Sequence, residues 1–234
     1  MATETPTTYE DMSREELYEL AQERDIDGRS SLSKDELVAA LQLEDEGPDA
    51  VELLLEQHDR IRDFFDEFAE LSSRPSKRKD ELVDLLITHL VKHAEVEELV
   101  FYPAVRSEMS GFDAEIDEDL EEHHAAELLL AELDHMSSDH DRFDAKVLVL
   151  REIVTHHLQE EEQDLFPKVR EAIDQQRRRQ LGAAMVRAHK IAPSRPHPFS
   201  PDEPPANLIA GLPGAAYDAV KGVLRAGKRT VLRR

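Results

Sequence analysis

Four histidines and two glutamates recur in this sequence at spacings that a helix turns into a single inward face. His93 precedes Glu97 by four residues, and His157 precedes Glu161 by the same interval. On an α-helix, residues i and i+4 lie on one face a turn apart. Each pair interrupts an apolar stripe: Leu82, Leu86, His89, His93, Val96, Val100 in one segment and Val147, Leu150, Val154, His157, Glu161, Leu165 in the other. His58 falls in the stripe Val51, Leu54, Ile61, Phe65, Phe68, and His123 in Ile116, Leu120, Ala126, Leu130, Leu133. Such stripes turn toward a core. Burying six ionisable groups at one level is costly unless something compensates them. Metal cations would reverse that cost.

The chain has no cysteine, so thiolate sites, disulfides and thiol catalysis are excluded, and any metal must be held by nitrogen and oxygen. Neutral imidazole with carboxylate suits iron, manganese or zinc. The candidate metal ligands are His58, His93, Glu97, His123, His157 and Glu161. Two ions fit this set if each helix pair supplies its histidines to one ion and the carboxylates bridge. His89, one turn before His93, is a candidate additional or outer ligand, and His124 competes with its neighbour His123. Glu98 and Glu162 are expected at the surface or behind the ligands, and His156 on an outer face. No side chain is assigned as a catalytic nucleophile.

The two halves repeat. His93, Glu97, Glu98 and Pro103 return as His157, Glu161, Glu162 and Pro167 at an offset of 64 residues, and His58 returns as His123 at 65. A helix pair used twice is the economical explanation. His89 has Ile153 at its duplicate position, and His156 has Lys92.

The elements that must carry these residues are four long helical patterns at about 49–71, 78–106, 116–137 and 140–172. Short connections between long helices favour antiparallel neighbours, so the expected fold is all-α, an up-down four-helix bundle over 47–172. Before it, residues 1–46 read as a small helix-linker-helix unit with capping boxes at Ser13/Glu16 and Ser33/Glu36. After it, 173–234 reads as a solvated helical extension carrying Arg177 to Arg179, a Pro-rich tail and a short basic helix at about 213–230.

The formal net charge of −23 disfavours tight nucleic-acid binding, which draws on lysine and arginine. The first residues lack a basic, apolar leader, and no apolar run approaches a membrane span, so a cytoplasmic protein without membrane contact is expected.

The twice-repeated His-x-x-x-Glu-Glu-x-x-x-x-Pro motif, with a lone histidine before each copy, resembles the hemerythrin-like, HHE cation-binding family over about 51–170. The resemblance implies a non-haem di-iron centre on the six residues, with manganese or zinc as substitutes. It also implies a small ligand, O2, nitric oxide or peroxide, bound for oxygen handling, sensing or stress response. An enzyme using the same irons in a catalase-like or ferroxidase reaction is the alternative. The stretch from Leu17 to Leu37 resembles the N-terminal helix-extended-helix (SAP-like) module of the Rho transcription terminator, which implies nucleic-acid contact and a third possibility, a sensor signalling through this module to nucleic acid or a partner protein. Against that contact stand 14 acidic and 4 basic residues in 1–46.

Overall fold

The computed structural model describes residues 8–24, 26 and 28–198, and among them it is all-helical. They fall into two compact units that divide between Gly47 and Pro48. The basic segment expected at 213–230 lies outside the described residues.

In the first unit, α1 (Arg14–Glu23) and α2 (Lys34–Asp45) pack together. Both capping boxes form. Ser13 accepts from the Glu16 amide while the Glu16 carboxylate accepts from the Ser13 amide, and Ser33 and Glu36 do the same. Between the helices Gly28 takes the left-handed conformation (φ 67°), which glycine adopts without the Cβ penalty, and a short 3-10 turn, Arg29–Ser31, follows. Leu17, Ala21, Ile26, Leu37, Val38 and Leu41 close a small core.

The second unit is built on α3 (Ala50–Glu70), α4 (Lys77–Val96), α6 (Asp113–Leu133) and α7 (Phe143–Glu160), with α4 continuing into α5 (Tyr102–Glu108) and α7 into α8 (Phe166–Ala172). Helix α3 packs on α4 and α7, and α6 on α7 and α4, which closes a four-helix ring. Asp49 caps α3 and Ser76 caps α4 through amides of their first turns.

Each continuation is made by one π-helical turn, at Glu97–Phe101 and Glu161–Leu165. In each, the closing bond runs over five residues, from the Tyr102 amide to the Glu97 carbonyl and from the Phe166 amide to the Glu161 carbonyl. The cause is readable in the sequence. Pro103 and Pro167 cannot donate and would clash with an α-helical carbonyl behind them, and a widened turn absorbs the conflict without ending the helix. The widening advances the helix phase by one residue, so Phe101 is buried where the stripe had placed Val100.

The third helix begins three residues before the expected 116 and stops at Leu133, and residues 134–142 form turns in place of a tight three-residue connection. The expected solvated extension is instead α9 (Gln175–Ile191), packed along α3, α4 and the first π turn with Leu181 and Met185 buried. The pattern was hidden because arginines dominate its first turn. Arg178 is drawn inward by Asp49, at 2.8 Å, and by the Ile173 carbonyl, at 2.6 Å. Gly182 faces the Pro48 carbonyl so closely that a Cβ there would lie 1.9 Å from its oxygen.

Two apolar clusters fill the bundle. One gathers Val51, Leu54, Val96, Phe101, Phe166 and Met185, and the other Ile61, Phe65, Leu86, Leu130, Val147 and Val154. His58 lies on α3 between Leu54 of the first and Ile61 of the second, which places a polar layer between two apolar ones. Among the described residues no helix is long and apolar enough to cross a membrane.

Candidate metal centre

His58 on α3, His93 on α4, His123 on α6 and His157 on α7 all turn into this layer, as do Glu97 and Glu161, the first residues of the two π turns. All six are buried. His58, His93, Glu97 and Glu161 can offer ligand atoms to a single point, and Glu97, His123 and His157 to a second, so Glu97 is common to both groups. The Nε2 atoms face one another and the carboxylates: His58 to Glu161 is 3.3 Å, His93 to Glu97 is 3.3 Å, His123 to Glu97 is 3.4 Å and His157 to Glu161 is 3.6 Å. The Nε2 atoms of His123 and His157 are 3.0 Å apart.

Each imidazole is held from behind through Nδ1. Glu162 accepts from His58 at 2.8 Å, the Gln57 amide oxygen from His93 at 2.9 Å, Glu98 from His123 at 3.0 Å and Glu122 from His157 at 3.1 Å. An acceptor at Nδ1 fixes the proton there and leaves the Nε2 lone pair pointing into the layer, the tautomer a metal ligand needs. The arrangement follows the sequence repeat but crosses it. Glu162 and Glu98, at equivalent positions, each hold the histidine of the opposite half.

The inward atoms are not satisfied by the protein. His58 Nε2, His93 Nε2, both Glu97 oxygens and Glu161 Oε2 are buried without a hydrogen-bond partner. Their ionisation shows the same tension. Burial and the charge of Glu161 push the Glu97 carboxyl well up, while at Glu161 the surrounding histidines outweigh burial and hold the carboxyl down. Burial and the neighbouring imidazoles push His93 well down. At His58 the Glu161 and Glu162 carboxylates overcome burial and raise it. Glu162, against its own burial, is lowered to about 2 by His58 and Arg62. Several buried donors of one kind with no partners are a costly arrangement that cations would relieve. The donor set, nitrogen and carboxylate oxygen without sulfur, fits such ions.

Of the remaining sequence candidates, His89 is half-buried against the Phe64 ring, 5.0 Å between centroids, and is not brought to either group. His124 likewise belongs to neither group. Four neighbours were not singled out from sequence: Gln57, Glu122, Asp119 and Tyr102. Gln57 and Glu122 occupy duplicate positions just before His58 and His123, and that pairing was the available signal. Asp119 is buried where the stripe had chosen Leu120, which is only partly covered. It lies four residues before His123, the spacing of the other ligand pairs. Burial and the charge of Glu161 raise its carboxyl to about 7. Tyr102 Oη donates to Glu161 Oε1 at 3.1 Å and lies 3.5 Å from His123 Nε2. Its duplicate is Phe166, which carries no hydroxyl.

Comparison with known proteins agrees with the helical fold and with a cation-binding domain. Residues 49–169 match the family model described as Hemerythrin HHE cation binding domain. An uncharacterized hemerythrin-like protein of Schizosaccharomyces pombe is 26% identical over 139 residues, which is 59% of this chain and 68% of that protein. The crystal structure of a hemerythrin HHE cation binding domain-containing protein from Mycobacterium kansasii superposes with a TM-score of 0.54 at 23% identity, covering 62% of this chain and 86% of the other.

Proposed function

Given that the chain belongs to the hemerythrin HHE cation-binding family, we propose that its polar layer is a non-haem di-iron centre that binds O2 or a related small ligand, nitric oxide or peroxide. The observation that carries this reading is the convergence of five buried, unpartnered ligand atoms from His58, His93, Glu97 and Glu161 within one layer. Iron would supply a redox-active cation with room for an exogenous ligand. The residues supply the rest. His58, His93, Glu97, His123, His157 and Glu161 hold the ions, and Glu98, Glu122, Glu162 and Gln57 fix the imidazole tautomers. Tyr102 keeps its proton, since burial and then the charge of Glu161 raise its hydroxyl well above the ordinary range. That hydroxyl donates to Glu161 Oε1 and so orients this carboxylate beside His123.

Metal analysis of protein purified without added metal tests the proposal. Two iron ions per chain are expected, with His93→Ala or Glu161→Ala losing at least half. Metal content unaffected by either substitution would overturn it. Peroxide added to the iron-loaded protein then separates two readings of the centre. A stable, oxygen-dependent absorption band marks a binding protein, and sustained O2 release marks a catalase-like enzyme.

A further inference from the structure

Two clusters of ligand-type side chains outside the centre form, with one of the central groups, a descending series on one side of the bundle, and consecutive clusters share a member. The outermost is Glu122, His156 and Glu160; the next is Asp119, Glu122 and His157; the innermost is Glu97, His123 and His157, already part of the centre. Side-chain exposure falls along the series, from 61% at His156 and 45% at Glu160 through 20% at Glu122 to 6% at Asp119. The steps are short. His156 Nε2 is 3.5 Å from Glu160 and 3.9 Å from Glu122, whose other oxygen is 3.1 Å from His157 Nδ1, and Asp119 Oδ1 is 3.7 Å from the same nitrogen.

Clustered acids alone would be a solvated face. Two further observations separate this cluster from that. Asp119 is buried, with Oδ1 facing His157 and its other oxygen, Oδ2, buried without a hydrogen-bond partner. The internal duplication also provides a comparison within the same chain. The equivalents of Asp119, Glu122, His156 and Glu160 are Leu54, Gln57, Lys92 and Val96, which make no such series. That side is covered by α9, and the Lys92 ammonium donates to the His189 carbonyl at its end. Holding the His157 tautomer requires only Glu122, which is the task Gln57 performs for His93. Asp119, His156 and Glu160 are left without a role by that account.

We infer that Glu160, His156, Glu122 and Asp119 form an entry route along which a divalent first-row cation passes from solvent to the buried centre. The outer station offers carboxylate oxygen and the imidazole nitrogen of His156, and the next offers the carboxylate oxygens of Glu122 and Asp119, donors of the kinds the centre itself uses. Negative charge at the mouth raises the local cation concentration, and the carboxyl of Asp119 offsets the loss of hydration at the most buried step. His157 spans the last step. Its Nδ1 faces Asp119 and Glu122 and its Nε2 faces Glu161, so the ring stands between the buried carboxylates and the centre. Among the described residues this series lies on the α6–α7 side, opposite the face that α9 covers.

The inference rests on the proposed metal centre, and the test keeps the two apart. Cobalt(II) is mixed with metal-free full-length protein, the rate of uptake is followed by absorbance, and the final cobalt content is measured. In a His156→Gln/Glu160→Gln variant, uptake slows by about ten-fold or more while final content matches wild type. Asp119→Leu, which installs the duplicate's residue, slows it likewise, and Lys92→Gln on the opposite side leaves the rate unchanged. Uptake within two-fold of wild type in both the mouth and the Asp119 variants would overturn the route while leaving the centre intact. A wild-type protein that takes up no cobalt would overturn the centre and the route together.

Discussion

Four imidazoles share one layer, yet each leans on a different acceptor, and the differences set what each contributes. Glu162 is the most heavily engaged of the four, paired with His58 at 2.8 Å and with Arg62 at 2.8 Å. Replacing it with alanine frees the ring of His58 to turn and removes the charge that makes it a stronger base. Outer partners of this kind are worth about 10–100-fold in metal affinity. Competition with a chelator is expected to show a loss of that size for Glu162→Ala and a smaller one for Glu162→Gln, which keeps an acceptor. Affinity unchanged in the alanine variant would show that His58 needs no support. At this scale the inward set was legible, because ligand spacing and apolar stripe agree at His93 and His157 and the stripe alone carries His58 and His123. The sequence concealed Asp119 and Tyr102, because a single acid beside a leucine on an amphipathic helix looks like the edge of the polar face, and a tyrosine next to a phenylalanine looks like core.

At the scale of elements, the helices follow from their stripes and caps, whereas their joints follow from local conflicts that a periodicity count does not see. Both π turns trace to prolines that were legible as part of a repeated motif, but their effect on phase appears only once the widened turn is built. Helix α9 shows the opposite failure. Its arginines read as solvated, but Leu181, Gly182 and Met185 share one buried face, and the missing side chain at Gly182 is what lets the helix reach the Pro48 backbone. Gly182→Ala would bring a Cβ to 1.9 Å from the Pro48 carbonyl oxygen, a backbone atom with no side-chain freedom to move aside. Overpacking of this sort costs about 1–3 kcal/mol. A lowered urea midpoint with an unchanged slope is the expected result. Equal or greater stability would mean that α9 is held by its ion pairs and not by close packing.

Over the whole molecule, 52 acidic residues outnumber 29 basic ones, so mild acidification relieves self-repulsion. In the small first unit a second effect runs the other way. Glu16 and Glu36 accept backbone hydrogen bonds from Ser13 and Ser33, chiefly for that reason, and their carboxyls sit below the ordinary 4.5. A carboxyl depressed in the folded state stabilises it above the unfolded value and loses that contribution as pH falls through the folded one. Amide exchange in 14–23 and 34–45 is therefore expected to quicken as pH drops below about 4.5 relative to intrinsic rates, and a Glu16→Gln/Glu36→Gln variant to flatten that dependence. No change in the variant would place the acid sensitivity elsewhere. The division into a small capped unit and a larger bundle was visible in the capping boxes and the Gly47-Pro48 break, but nothing in the composition marked α9 as part of the larger one.

The polar layer also has a mechanical meaning. Folding is all-or-none when one apolar interior ties every helix to every other, and here that interior comes in two portions with ionisable groups between them. Ions held there by side chains of all four helices would act as a rivet through both portions. Occupancy of the centre would then decide whether the bundle melts in one step or in two.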